Sequence, residues 1–103
     1  SFSTKAPATD KVEPFVKAFE EKYGRQPSSF NALAYDSVYM IKQAIEDEGK
    51  ATPEAIQKGL AGLKDFEGVT GKISMDKDHN PVKPLVVLGL TDGKESSAET
   101  VNQ

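Results

Sequence analysis

Apolar residues in the first part of the chain recur with the spacing of a helix. One apolar face is formed by residues that lie three, four, seven and eleven positions beyond the first of them: Val12, Phe15, Val16, Phe19 and Tyr23. Pro14 is tolerated in a first helical turn, so we expect the regular helix to begin at Glu13. Gly24, followed by Pro27, is expected to end it.

Two further helices are predicted after this one. The second is capped by Ser28 or Ser29 and ends at Gly49. Its apolar stripe, which we expect to face the core, comprises Phe30, Leu33, Ala34, Val38, Ile41 and Ile45. The third helix has Thr52 as its N-cap and Pro53 in its first turn. Its narrow apolar face comprises Ile56, Leu60 and Leu63.

After Phe66 the apolar spacing changes from the helical period to a period of two. The alternating apolar positions, which predict a strand with one buried side, are Val69, Gly71, Ile73 and Met75. Residues 76–84 form a polar loop, and residues 85–90 form an apolar run that we interpret as a strand buried on both faces. Gly93 closes that strand, and the polar residues 94–103 are expected to form a loose tail.

Three helices and two strands make an unbalanced α/β domain. A strand that is apolar on both faces needs neighbours, so we expect sheet partners of residues 85–90 to lie outside this sequence. An unpaired apolar strand also favours pairing with an identical chain. The isolated chain is therefore expected to associate, most simply as a strand-exchanged homodimer.

Composition excludes several classes of function. The 103 residues make one domain at most, with a net charge of −3 and a pI near 5.1. This balance argues against a nucleic-acid partner, which needs clustered Lys and Arg. The sequence has no cysteine, so disulfides and thiolate chemistry are excluded. Its longest apolar run is far shorter than the roughly 20 residues of a membrane helix.

No catalytic or metal site emerges from the residue types and their spacing. His79 is the only histidine, and no nucleophile or orienting carboxylate accompanies it at a suitable spacing. Residues 76–80 have the opening spacing of a calcium loop. The sixth position is Pro81 instead of Gly, and the twelfth is Val87 instead of Glu, so coordination cannot close. We expect no catalysis, no metal and no cofactor.

Phe30 allows two interpretations. It is the first residue of an apolar helical stripe, or it presents an aromatic wall to a ligand from the start of the helix. Spacing by itself favours the first interpretation.

Three stretches together resemble the C-terminal third of periplasmic binding proteins for leucine, isoleucine and valine. They read FVKAFEEKYGRQPSSF, then ALAYDSVYMIKQAI, then KDFEGVTGKISMDKDHNPVKPLVVLGLTDGK, and they cover about residues 12–94. The resemblance lies in their order: a helix that closes in KYG, an AYD helix, FEGVTG, and KP before the last strand.

This resemblance implies the type I binding-protein fold, in which two α/β lobes close on a solute about a hinge of three crossing segments. The chain would be incomplete, a partial Rossmann-like lobe of three helices and a few strands. Residues 1–84 would form the C-terminal part of the first lobe. Residues 85–103 would contain a crossing segment, the final strand and the loose tail.

The resemblance also implies a function, namely the capture of a branched-chain amino acid for an ABC transporter permease. Such a protein is periplasmic, or lipid-anchored on the outer face of a Gram-positive membrane. In some family members the aromatic residue before the AYD helix lines the side-chain pocket, and Phe30 matches it; Asn31 is a second candidate. The other ligand contacts of the family lie upstream, so this chain alone is expected to bind leucine poorly. The alternative is a ligand-sensing domain of a receptor or regulator with the same fold.

Overall fold

The computed structural model describes residues 2–102, which contain three helices followed by five strands. The helices are α1 (Val12–Tyr23), α2 (Ser29–Glu48) and α3 (Pro53–Ala61). The strands are β1 (Phe66–Gly68), β2 (Gly71–Met75), β3 (Pro81–Val82), β4 (Leu85–Thr91) and β5 (Lys94–Val101). The succession of three helices and then strands agrees with the hydrophobic pattern.

Local sequence signals explain where the helices begin and end. The Ser28 side chain accepts a bond from the backbone N–H of Asn31, whose own side chain accepts one from the backbone N–H of Ser28. Thr52 caps α3 in the predicted way. Gly24 and Gly49 end α1 and α2 with φ of 66° and 69°, a left-handed conformation that glycine adopts without strain. The predicted limits of α1 and α2 and the predicted start of α3 are therefore confirmed to within a residue, whereas α3 ends at Ala61, before the Leu63 that was placed on its apolar face.

The predicted core face of α2 is wrong for the described residues. The residues of α2 that are buried are Ala32, Asp36 and Ala44, whereas Phe30 and Val38 in the apolar stripe are 82% and 66% exposed. Both α3 and β1 pack on the side of α2 that carries its buried residues, where Ala44 faces Gly59 and Asp36 faces Gly68. The apolar stripe consequently lacks a cover among residues 2–102.

A small core joins α1 to α2 and to the first strands. It is built from Val12, Phe15, Ala32 and Val69, with Phe2, Val16 and Phe19 packed against it. The ring of Phe15 lies 4.8 Å from that of Tyr35, measured between centroids. This core holds α1 against α2.

The strand predicted from Val69 to Met75 corresponds to a turn followed by β2, which is the middle strand of a meander of three short strands. β1 and β2 pair antiparallel, with Gly68 opposite Gly71, so that Val69 and Thr70 form the turn between them. β3 then pairs antiparallel with β2, inside the segment predicted to be an irregular loop. Starting the strand at Val69 was wrong, because the backbone N–H groups of the turn bond to a side chain of α2 instead of to another strand.

The expected loose tail is also wrong, since β5 pairs with β4 along its whole length. Asp92 and Gly93 make the turn, both with positive φ, as a two-residue Asp-Gly hairpin requires. The polar side chains of β5 do not prevent pairing, because the ladder uses backbone groups. β4 is not buried on both faces: Val86 is buried, while Leu85, Val87, Leu88 and Leu90 are exposed.

The described chain thus has two parts. We call α1–α3 with β1–β3 the helical unit, and β4–β5 the hairpin. The two strands of the hairpin pack mainly on each other and have few contacts with the helices and strands of the helical unit. The buried Ser3 hydroxyl donates to the Glu95 carboxylate of β5, so the N-terminal segment, whose Phe2 packs against the core, also contacts the hairpin. The connection between them is the short segment of residues 83–84.

Candidate functional site

The two residues predicted to contact a ligand lie side by side at the start of α2. The Phe30 side chain is exposed and takes no part in the core of the described residues. Asn31 is half-buried, and its Oδ1 accepts hydrogen bonds of 2.9 Å from both the backbone N–H and the hydroxyl of Ser28. Asn31 therefore already has a structural task as part of a helix cap. Their role as ligand contacts stays a prediction.

A wide groove runs between α1 and α2, with a volume of about 930 Å³. Its walls are largely aromatic and apolar, and they include Phe15, Phe19, Tyr23, Asn31, Tyr35 and Val38. Asn31 lines this groove, whereas Phe30 does not. The two predicted site residues are consequently not brought into one pocket by the described residues.

Tyr35 and Tyr39 stack along one side of α2, with ring centroids 4.7 Å apart. The hydrogen bond with the Tyr39 side chain raises the pKa of the Tyr35 hydroxyl. Partial burial, repulsion from Tyr39 once that residue ionises, and the negative charge of Asp36 raise it further. Tyr35 therefore stays protonated at neutral pH. It is a neutral hydrogen-bonding group on the groove wall.

Asp36 forms the most buried polar centre of the described chain. Its carboxylate is 2% exposed and points at the β1–β2 turn. Oδ1 accepts from the Val69 N–H at 2.7 Å, and Oδ2 accepts from the Thr70 N–H at 2.8 Å and from the Thr70 hydroxyl at 2.6 Å. Gly68 allows this approach, because a Cβ there would lie 2.6 Å from Oδ2.

Lys83 extends this polar centre toward the hairpin. Its Nζ donates to the Thr70 hydroxyl oxygen at 3.1 Å. Desolvation lowers the pKa of the Lys83 ammonium, while the negative charge of Asp36 opposes that change. Lys83 is therefore a half-buried cation held by a buried anion through one hydroxyl group.

Sequence reasoning did not single out Asp36 or Lys83, although both lie in motifs that carry the family resemblance. The available signal was the helical phase of Asp36, which it shares with the small residues Ala32 and Ala44 rather than with the apolar stripe. A single carboxylate in the phase of small, buried residues indicates that it receives hydrogen bonds from a neighbouring element.

The remaining chemical candidates form no centre. Asp76 accepts from the backbone N–H groups of Asp78 and Asn80, both at 2.8 Å, so it shapes its own turn. His79 lies in that turn with a φ of 65°. Within residues 2–102, no three His, Cys, Asp or Glu residues are grouped so that they could hold a metal ion. None of the described helices has the length and apolar character needed to cross a membrane.

Comparison with known proteins identifies the family. The family model for periplasmic binding protein matches residues 1–95. The chain belongs to the periplasmic binding protein family. Members of this family are solute-binding proteins rather than enzymes, and they work outside the cytoplasm.

The solved structures that are similar to the chain share its fold. The isoleucine complex of the branched-chain amino acid transporter substrate-binding protein LivJ from Streptococcus pneumoniae is 41% identical, with a TM-score of 0.84 over 99% of this chain. The leucine-binding protein LivK from Thermotoga maritima is 30% identical, with a TM-score of 0.84 over 98% of this chain. These matches confirm the predicted family and the α/β fold class, a partial lobe of a type I periplasmic binding protein.

The chain corresponds to only part of each relative. It covers 29% of the length of both structures. A curated relative, Leu/Ile/Val-binding protein homolog 1 from Brucella abortus, is 29% identical over 80% of this chain but only 22% of its own length. The chain therefore spans between a fifth and a third of the length of these proteins.

Proposed function

We propose that this chain is the C-terminal part of a longer solute-binding protein, the parent protein, that captures a branched-chain amino acid for an ABC importer. The observation that carries this proposal is the 41% identity, over nearly the whole chain, to a transporter substrate-binding protein in complex with isoleucine. A Desulfitobacterium hafniense substrate-binding protein in complex with Leu, 29% identical over 98% of this chain, supports the same ligand class.

The division into a helical unit and a hairpin fits capture by lobe closure. Lobe closure requires two rigid parts that have few contacts with each other and are joined by short segments. The hairpin has few contacts with the helices and strands of the helical unit, and residues 83–84 connect them, with a hydrogen bond between Ser3 and Glu95 as a further link. We assign residues 1–84 to the first lobe, and residues 85–103 to the crossing segment and the second lobe.

Phe30 remains the strongest candidate for ligand contact in this chain, with Asn31 beside it. The Phe30 ring is 82% exposed, so packing within the described residues does not explain it. A large apolar side chain that is left outside the core suits the wall of a cleft that closes on a branched-chain side chain. Asn31 would contribute by keeping the α2 cap in place beneath that ring.

The parent protein would act outside the cytoplasm, in the periplasm or anchored by a lipid to the outer face of a Gram-positive membrane. It would deliver its ligand to an ABC transporter permease and would catalyse no reaction. Binding needs no cofactor and no metal, since an amino acid can be held by hydrogen bonds and apolar contacts alone.

Calorimetric titration of the purified parent protein with isoleucine, leucine and valine tests the proposal. Benzoate is the informative control, because a solute-binding protein of this fold from R. palustris, 21% identical, was solved in complex with it. We expect saturable binding of at least one branched-chain amino acid and none of benzoate. Binding of benzoate alone, or of neither class, would refute the assigned ligand.

Uptake measurements separate transport from ligand sensing. Cells that lack the parent protein should take up less labelled isoleucine, and the intact gene should restore uptake. Unchanged uptake, together with normal binding, would favour the ligand-sensing alternative.

The isolated 103-residue chain should behave differently from the parent protein. The free edges of the hairpin and its exposed apolar residues, Leu85, Val87, Leu88, Leu90 and Val101, offer a surface to an identical chain. We expect a strand-exchanged or strand-paired homodimer that binds leucine poorly. Sedimentation over a concentration series would show it, and a persistent monomer would contradict it.

A further inference from the structure

Three polar side chains form a continuous chain from α2 to the segment that leads into the hairpin. Asp36 lies on α2, Thr70 lies in the β1–β2 turn, and Lys83 lies between β3 and β4. We propose that these three residues anchor residues 83–84 to the helical unit, so that the hairpin turns about Leu85. The turning motion rests on the proposed function, whereas the anchor can be measured without any ligand.

The hydrogen bonds of the anchor have one consistent direction. Thr70 donates its hydroxyl hydrogen to Oδ2 of Asp36 at 2.6 Å. That hydrogen is then committed, so the hydroxyl oxygen is free to accept from Nζ of Lys83 at 3.1 Å. Asp36 and Thr70 are each 2% exposed. Hydrogen bonds between groups that are buried away from water are stronger than in water, because the local dielectric constant is low and each bond polarises the next. The three side chains are therefore held in a single geometry.

The charges of Asp36 and Lys83, at the two ends of this hydrogen-bonded series, influence each other. Asp36 is a buried acceptor, and Lys83 is a half-buried cation. Desolvation lowers the pKa of Lys83, whereas the negative charge of Asp36 raises it. Removing one charged member of such a network leaves the other charge buried without a partner. The intact network contributes more to selecting one geometry than to the free energy of unfolding. The expected effect of losing Lys83 is therefore a change in geometry at residues 83–84, with the helical unit still folded.

The position of the Pro84 ring supports the same anchor at residues 83–84. Pro84 lies close to the backbone of Gly71 on β2, since a Cβ at Gly71 would stand 3.7 Å from Cδ of Pro84. The ring of Pro84 fixes its own φ and restricts the backbone of Lys83 before it. Lys83 is thus bonded to the helical unit through its side chain, and the ring of Pro84 lies near Gly71. Leu85 is the first residue beyond this fixed point, and it begins β4.

The experiment measures the distance distribution between the two parts. The sequence contains no cysteine, so spin labels can be attached at exposed positions in Lys17→Cys on α1 and Glu99→Cys on β5. Any cysteine elsewhere in the parent protein is replaced by serine. Lys83→Met keeps the apolar stem and removes the ammonium. The control is Lys72→Met on β2, whose exposed ammonium lies 3.8 Å from Glu67.

We expect the ligand-free distance distribution of Lys83→Met to be about twice as wide as that of the parent protein, and that of Lys72→Met to be unchanged. Thr70→Val interrupts the same chain while leaving the Lys83 side chain intact, and it should broaden the distribution to a similar extent. If Lys83→Met does not fold, Thr70→Val decides the question. Equal widths in folded Lys83→Met or Thr70→Val would overturn the anchor, even if their melting temperatures fall.

Ligand addition keeps the two proposals apart. If isoleucine does not bind, the proposed ligand is wrong, and the ligand-free widths still decide whether the anchor exists. If isoleucine binds and the distribution of Lys83→Met narrows to that of the unmodified protein, the anchor acts on the open form. The affinity of Lys83→Met should then fall several-fold, because binding must also select one geometry from a broader set.

Discussion

Replacing Asp36 by asparagine tests how the β1–β2 turn is held against α2. Asparagine has nearly the same shape as aspartate, so the change removes one acceptor and the charge without leaving a cavity. The carboxylate accepts three hydrogen bonds, from the backbone N–H groups of Val69 and Thr70 and from the Thr70 hydroxyl. The amide of asparagine can accept with its oxygen only, and its nitrogen then faces an N–H donor.

The expected loss of stability follows from these contacts. One buried N–H is left without an acceptor, which costs about 1–3 kcal/mol. The two bonds that remain, both from Thr70, lose their charge assistance, which adds about 1 kcal/mol to the loss. We therefore expect Asp36→Asn to lower the free energy of unfolding by about 2–4 kcal/mol. The Lys83 ammonium also loses its counter-charge, which moves the effect in the same direction.

The assay is urea denaturation of the ligand-free parent protein, followed by circular dichroism. A loss of this size lowers the transition midpoint by roughly 1 M urea, because the slope of the free energy of unfolding against urea rises with protein size and the parent protein is longer than a small domain. The matched control is Asp47→Asn, an exposed change on the same helix, where the carboxylate accepts only from the Gln43 side chain at 2.9 Å. It should cost less than about 0.5 kcal/mol. Equal midpoints for Asp36→Asn and Asp47→Asn would refute the reasoning.

Three further predictions concern packing, binding and pH. Gly59→Ala should destabilise the protein despite the higher helix propensity of alanine, because the new Cβ would lie 2.7 Å from Ala44. In the control Gly62→Ala the new Cβ would lie 3.5 Å from its nearest neighbour, so this change should be tolerated. The melting temperatures of the two variants test the prediction. Phe30→Ala should weaken isoleucine binding by about 1–3 kcal/mol in calorimetry while leaving the melting temperature unchanged, and unaltered affinity would exclude Phe30 from the site. Backbone N–H groups hold the pKa of Asp76 below its ordinary value of 3.8, so its contribution to stability is present above that value and is lost as pH falls through the lower folded pKa. The stability difference between the unmodified protein and Asp76→Asn should accordingly shrink below about pH 4, and a constant difference would contradict the assignment.

Local signals predicted the helices well because their causes are local. Ser28 and Thr52 each satisfy an N–H group three residues away, and Gly24 and Gly49 take a backbone conformation that other residues avoid. None of these effects needs a distant neighbour. The order of motifs, from the KYG helix to the KP pair, was likewise enough to predict the family that the comparisons confirm.

The strands were predicted less well because pairing is not local. The alternation from Val69 to Met75 is compatible with one strand or with a turn followed by a shorter strand. The carboxylate of Asp36, more than thirty residues earlier, decides for the turn by binding two of its N–H groups. The polar composition of β5 suggested a loose tail, yet an Asp-Gly turn and a facing strand were sufficient for a ladder.

The sequence by itself determined the helices, their caps, the α/β class and the family, since these depend on periodicity, on backbone conformation near each residue and on the order of motifs. Only the tertiary structure decided which side of α2 is covered. It set the small residues against α3 and β1 and left Phe30 exposed. It alone also brought Asp36, Thr70 and Lys83 together from three separate segments. The physical reason is that hydrogen bonds and packing depend on distance in space, which periodicity along the chain does not contain.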